Sequence, residues 1–205
     1  MLPDLPWIIS VLGFAAATSA TPGPNNAMVA SSGATFGIVR TIPHMLGISV
    51  GFPAMLLAVT LGAGDLLRAA PALQLALKWV GAAYLLWLAW HIATADPAPP
   101  GSQAPSRKAG SNRPLTPLQA ALFQWVNPKA WILAGTAVTT YTDTAAKALT
   151  LSALFAAVSI PSNLLWAFTG VGAARLLRTA RSLRAFNIAM AVLLVLSLVP
   201  ILLEH

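Results

Sequence analysis

The 205-residue chain has no cysteine, so it can build no disulfide framework, thiolate metal centre or thiol redox site. Acids are nearly as scarce. Five Asp and Glu stand against twelve Lys and Arg, and all charged residues together make up 8% of the chain, where a soluble domain carries roughly 25%. Four of the acids (Asp4, Asp96, Asp143 and Glu204) fall in connections or at the ends, and Asp65 closes an apolar segment. No carboxylate is therefore expected deep in the apolar runs. Enzymatic constellations are missing as well: the chain shows no embedded carboxylate pair, no histidines at metal-ligand spacing and no glycine-rich phosphate loop ending in Lys-Ser/Thr. It reads as neither an enzyme nor a metal or cofactor carrier.

Hydrophobic residues supply 57% of the chain. A water-soluble fold of this length needs more polar surface, so the class is integral membrane protein, with length for about six spans of roughly 20 residues each and none to spare for a soluble domain. The apolar run WIISVLGFAAA near the N-terminus lacks the basic residues of a signal peptide, since the first Lys or Arg is Arg40. It is expected to remain in the mature chain.

Six apolar segments are expected at about 6–38, 43–64, 72–95, 116–140, 147–172 and 184–203. Straight and helical, the first would reach about 50 Å at 1.5 Å per residue, against a hydrocarbon core of about 30 Å. It must be broken, tilted or partly re-entrant. Residues 96–114, DPAPPGSQAPSRKAGSNRP, read as a flexible cytoplasmic linker between a first half, 1–95, and a second, 115–205. Loops 1, 3 and 5 carry Arg40, Arg107, Lys108, Arg113, Arg175, Arg178, Arg181 and Arg184, whereas the other side has Arg68 and Lys147, with Lys78 a turn inside segment 3. The positive-inside rule puts those loops in the cytoplasm and both termini outside, in the periplasm of a bacterial inner membrane. The net charge of +7 is thus a topological signal, and no nucleic-acid partner is expected.

Two segments contain breakers. The first holds TPGPNN, residues 21–26, and the fourth holds QWVNPKAW, residues 124–131. Pro24 and Pro128 stand 104 positions apart, and shifting segments 2 and 3 by that offset lands on segments 5 and 6. Three spans per half is an odd number, so the second half lies inverted relative to the first. The expected fold is an all-α membrane protein of six transmembrane helices, built as two inverted three-helix repeats with broken helices at PGPN and NPK. Secondary transporters of that design bind their substrates near the midplane, between discontinuous helices.

These motifs carry a resemblance. TPGPNN (21–26), GATFGIVRTIPHMLGISVGF (33–52), LKWVGAAYLLWLAW (77–90), LFQWVNPKAW (122–131) and SNLLW (162–166) together resemble the lysine exporter and homoserine/threonine resistance family, LysE/RhtB. The resemblance implies a small multi-pass inner-membrane exporter of amino acids or close derivatives, without cofactor, driven by an ion gradient with the proton as coupling ion. It leaves a homodimer open. Many members follow the second motif with Pro-Gln-Phe, where this chain has Thr139, Thr140 and Tyr141.

A helix broken in lipid frees backbone N–H and C=O groups, which is tolerated only where they face protein or a wet cavity. Such groups can bind an amino acid: its carboxylate suits the positive end of a half-helix, and its ammonium suits unpaired carbonyl and amide oxygens. The candidate substrate-binding residues are therefore Pro22, Gly23, Pro24, Asn25 and Asn26 at the first break, and Asn127, Pro128 and Lys129 at the second. Asn163 beside Pro161 completes the set. Lys129, a charge inside an apolar segment, is a candidate partner for a carboxylate, with snorkelling to an interface as the alternative. His44 and His91 are expected near the cytoplasmic ends of their segments, and Gly47, Gly51, Gly62 and Gly81 where helices approach closely. With no embedded acid to meet a cationic side chain, the expected substrate is neutral or small and polar.

Overall fold

The computed structural model describes residues 3–94, 113–177 and 179–199. Among these the structure is helical throughout, without strands: α1 (Leu5–Ala20), α2 (Pro24–Ala58), a π turn (Val59–Ala63), α3 (Gly64–Ala69), α4 (Pro71–Thr94), α5 (Pro117–Val126), α6 (Pro128–Tyr141), α7 (Ala145–Leu176) and α8 (Ala180–Leu196). Nearly all of the expected linker lies outside the described residues. Among the described residues, three helical runs have the length and apolar composition to cross a membrane: Pro24–Ala69, Pro71–Thr94 and Ala145–Leu176.

The first of these covers 46 residues, which would extend about 69 Å if straight. It doubles back at Gly37, where φ is 76° and ψ 172°. Across that point the Ser32 and Thr41 hydroxyl oxygens lie 2.9 Å apart, although nine residues of unbroken helix would separate them by about 13 Å. The Thr41 hydroxyl also donates to the Gly37 carbonyl at 2.8 Å. The turn thus comes earlier than the connection expected at 39–42, and Arg40 lies exposed on the returning arm of α2 instead of in a loop. A positive φ needs glycine, whereas arginine is a good helix former, so polarity marked this boundary less well than backbone freedom did. Similar shifts occur at the other end. Arg175 sits in the last turn of α7 and Arg181 and Arg184 lie on α8, while Arg178 is outside the described residues.

Glycines set the helix contacts. A Cβ added to Gly33 would collide with the Ala167 backbone, and one on Gly170 with the Ala30 carbonyl, so α2 and α7 cross with their backbones nearly touching. Gly47 and Gly51 meet α5 at Pro117, Ala120 and Ala121, and Gly81 meets the Val126 carbonyl. Small residues allow such approaches between apolar helices. Gly62 does not belong with them: it faces open space and holds φ 103° inside the π turn. Around these crossings, Val11, Ala15, Met55, Ala134, Leu151 and Phe155 join α1, α2, α6 and α7 in one core. A second core joins α4, α5 and α8 to the start of α2 through Met28, Leu85, Phe123 and Leu194. Large apolar side chains such as Val39, Leu61, Trp90 and Leu165 point outward.

Candidate functional site

Both breaks have the same local cause. α1 ends at Ala20, Gly23 is extended (φ −175°, ψ −178°), and Pro24 opens α2. α5 ends at Val126, Asn127 is extended (φ −88°, ψ 109°), and Pro128 opens α6. Proline lacks the N–H that a helix interior requires but fits its first position, so each Pro ends one helix and starts the next. The two breaks meet at a cavity of about 70 Å³. Of the residues singled out in the sequence, Gly23, Pro24, Asn25, Asn26, Asn127, Lys129 and Asn163 line it, whereas Pro22 and Pro128 do not. Phe52, Leu133 and Phe155 form its apolar wall.

The broken end of α1 is held by three other helical segments. A helix leaves its last carbonyls without intrahelical donors and partially negative. Here the Lys129 ammonium of α6 donates to the carbonyls of Thr18 (3.1 Å), Thr21 (2.7 Å) and Pro22 (3.5 Å). The Asn26 amide of α2 donates to Ser19 and Thr21, both at 2.9 Å, and the Ser162 hydroxyl of α7 donates to Ser19 at 3.1 Å. Gly23 makes room for this, because a Cβ there would stand 2.9 Å from Lys129 Cδ. Lys129 is thus committed to backbone carbonyls across the cavity and does not snorkel away.

Other polar groups join the remaining helices around the cavity. Asn25 and Gln124 pair amide to amide, at 2.9 and 3.2 Å, linking α2 to α5. Asn163 Nδ2 donates to the hydroxyls of Ser49 (3.2 Å) and Ser159 (3.0 Å), which bond to each other at 3.0 Å. Gln124, Ser49, Ser159 and Ser162 were missed by sequence reasoning. Gln124 had a signal, a lone amide one turn before the second break, while serines in apolar helices are too common to stand out. The aromatic wall continues away from the cavity: Phe52 contacts Phe155, which contacts Phe14, which contacts Tyr141, with ring centroids 5.4 to 6.1 Å apart. Trp7 closes the series, its indole N–H donating to the Tyr141 carbonyl at 3.1 Å.

The helix N-termini at the breaks differ from those of α1, α5, α7 and α8. α1, α5, α7 and α8 are each capped by a side chain, from Asp4, Thr116, Thr144 and Thr179. α2 and α6 have no side-chain cap. For α2 the capping position is Gly23, which has nothing to offer. For α6 it is Asn127, a residue type that caps well, yet its Oδ1 is buried without a hydrogen-bond partner among the described residues. The first residues of α2 and α6 and the Asn127 carboxamide therefore border the same cavity, with the Ala130 N–H already donating to the Asn127 carbonyl at 3.0 Å. Outside the cavity, His44 is buried with both ring nitrogens unpartnered among the described residues, not at a helix end. His91 stays in the last turn of α4, with Nδ1 2.8 Å from the Trp87 carbonyl.

Comparison with known proteins supplies the family. The family model described as LysE type translocator matches residues 16–202. The chain belongs to this family of translocators. The cysteine/O-acetylserine efflux protein of Escherichia coli strain K12 is 34% identical over 182 residues, covering 87% of this chain and 88% of that protein. The one from Klebsiella pneumoniae is 34% identical over 174 residues, covering 83% and 84%. Both relatives are named as efflux proteins, not enzymes. No solved structure matches the chain. As a LysE-type translocator, the chain is a membrane transporter with amino-acid exporters among its relatives, and its long apolar helices fit that placement.

Proposed function

We propose that this LysE-type translocator exports a small neutral amino acid or close derivative across the bacterial inner membrane, binding it where the two breaks meet. The observation that carries this reading is the pair of uncapped helix N-termini, α2 and α6, facing one cavity with the orphan Asn127 Oδ1. First-turn N–H groups and the positive helix end suit a carboxylate. An amide oxygen suits an ammonium. Asn25, Asn26 and Asn163 then shape the polar wall, Gly23, Pro22, Pro24 and Pro128 fix the two breaks, and Lys129 holds α1 in place between them.

The fold supports a six-span arrangement of two inverted repeats, 1–95 and 115–205. Shifted by 104 residues, the start of α2 at Pro24 falls on the start of α6 at Pro128, and the turn at Gly37 falls on Tyr141, the last residue of α6. In this reading α1 with the first arm of α2 forms one broken span, α5 with α6 forms the other, and substrate passes by alternating access between the halves. Both termini face the periplasm, the coupling ion is the proton, and a homodimer is compatible with the apolar outer surface.

Substrate charge follows from the same site. No metal-binding cluster of acids and histidines occurs among the described residues, and none of the cavity-lining residues is an acid. Driving a net positive charge outward costs about 2.3 kcal/mol per 100 mV of inside-negative potential, which a zwitterion avoids. The named substrates of the relatives, cysteine and O-acetylserine, fall within that class. The test is efflux from bacteria lacking their own exporters and loaded with a panel of dipeptides, with and without an uncoupler. Uncoupler-sensitive appearance of one or a few neutral amino acids is expected. Release of lysine or arginine instead would overturn the charge argument, and release without uncoupler sensitivity would favour a passive channel.

A further inference from the structure

The end of α1 is built like a cation site. Thr18, Thr21 and Pro22 direct three carbonyl oxygens at a single point, and the atom at that point is the Lys129 nitrogen. We propose that Lys129 is a tethered cation filling a backbone-carbonyl site in the break of α1, and that this site takes a small free monovalent cation when the side chain is cut back. Three features of the structure converge on it.

The first is electrostatic. The α1 C-terminus carries partial negative charge, and unwound carbonyls at half-helix C-termini are the kind of ligand that holds monovalent cations in transporters. The second is the absence of a competing anion. Among the described acids, Asp65 is paired with Arg68 and Asp143 with Lys147, and Asp4 caps the far end of α1. Among the described residues, the Lys129 charge is therefore met by oriented carbonyls and by no carboxylate. The third is fit. Lys129 reaches α1 from a different helix, over a residue with no Cβ, and the neighbouring carbonyl of Ser19 is already supplied by Asn26 and Ser162. The Thr21 carbonyl is shared between Asn26 and Lys129, while those of Thr18 and Pro22 have no side-chain donor but Lys129 among the described residues. A lysine fixed there makes a free ion unnecessary, so export by the native chain should not depend on sodium.

The test uses the purified full chain in detergent, with apparent Tm read in choline, sodium and methylammonium chloride at equal ionic strength. The native protein should not distinguish the three salts. Lys129→Ala should melt several degrees lower in choline and recover, saturably, with sodium or methylammonium. Lys129→Gln, whose amide donates to the carbonyls without charge, should fall between the two and gain nothing from either cation. Because the chain lacks cysteine, Lys129→Cys offers a second route: alkylation with 2-bromoethylamine rebuilds a lysine-like ammonium, while iodoacetamide adds a neutral group of similar bulk. Stabilisation by the amine adduct alone supports the tethered cation. Equal effects of both adducts, or a Lys129→Ala melting point that is the same in all three salts, would overturn it. None of these readouts requires transport, so they stand or fall separately from the exporter reading.

Discussion

Gly170→Ala is the sharpest test of how α2 and α7 cross. A Cβ at Gly170 would strike the Ala30 carbonyl, with Ala30 C at 2.8 Å and Ala34 N at 2.9 Å. All three are backbone atoms of a helix and none can rotate away, so the two helices must separate. Overpacking of this kind costs about 1–3 kcal/mol, and a backbone obstacle belongs at the upper end. The better helix propensity of alanine returns about 1 kcal/mol, leaving a net loss of about 2 kcal/mol. Two residues further along α7, Gly172 has nothing within 4 Å of its own added Cβ. Gly172→Ala should therefore be neutral or gain about 1 kcal/mol. The two substitutions should differ by up to about 3 kcal/mol, or roughly 6–12 °C in apparent Tm if a chain of this size follows the scaling of soluble proteins. Fluorescence-detected size-exclusion chromatography after a temperature series can read this directly. Coincident melting curves would refute the crossing, because no other difference between the two sites would account for them.

Asn127→Ala removes a side chain that makes no hydrogen bond among the described residues, so abundance and Tm should hold. Export should weaken by roughly tenfold to a hundredfold in apparent affinity, the equivalent of a charge-assisted bond of about 1.5–3 kcal/mol. Gly23→Ala should push the Lys129 side chain off the α1 carbonyls, lowering Tm and export together, and Lys129→Ala in the same background should add little further loss. Asp143→Asn should leave Tm at pH 7 nearly unchanged, because the Asp143 carboxylate is largely exposed to solvent. Lys147 holds the Asp143 carboxyl below its ordinary range, mainly by hydrogen bonding, so any contribution of the pair is present at neutral pH and is lost only on acidification through that lowered value. A melting profile from pH 7 down to strongly acidic conditions, native against Asp143→Asn, checks the sign.

The sequence was most legible where the backbone chemistry is local. Pro24 and Pro128 announce both breaks because proline acts on its own helix. The boundary at Gly37 was harder, since a polar Arg40 nearby suggested a loop where a single glycine sufficed to turn the chain. Gly33 and Gly170 pack against backbone while Gly62 faces open space, and nothing local tells these glycines apart, because the difference lies on another helix. The same holds for Lys129. That a charge sits inside an apolar segment is plain from the sequence, but the carbonyls it meets lie more than 100 positions away. Gln124 was overlooked for a similar reason: its partner Asn25 belongs to the other break.

The central claim, alternating access around a site shared by the two breaks, is tested most directly by counterflow. Vesicles containing the purified chain would be preloaded with unlabelled O-acetylserine, diluted into a trace of labelled O-acetylserine, and sampled over time, beside vesicles containing Asn127→Ala. A carrier gives a transient overshoot of label that is strongly diminished in the Asn127→Ala vesicles. Monotonic equilibration without overshoot would mean a channel, and an undiminished overshoot in Asn127→Ala would mean that the substrate binds elsewhere.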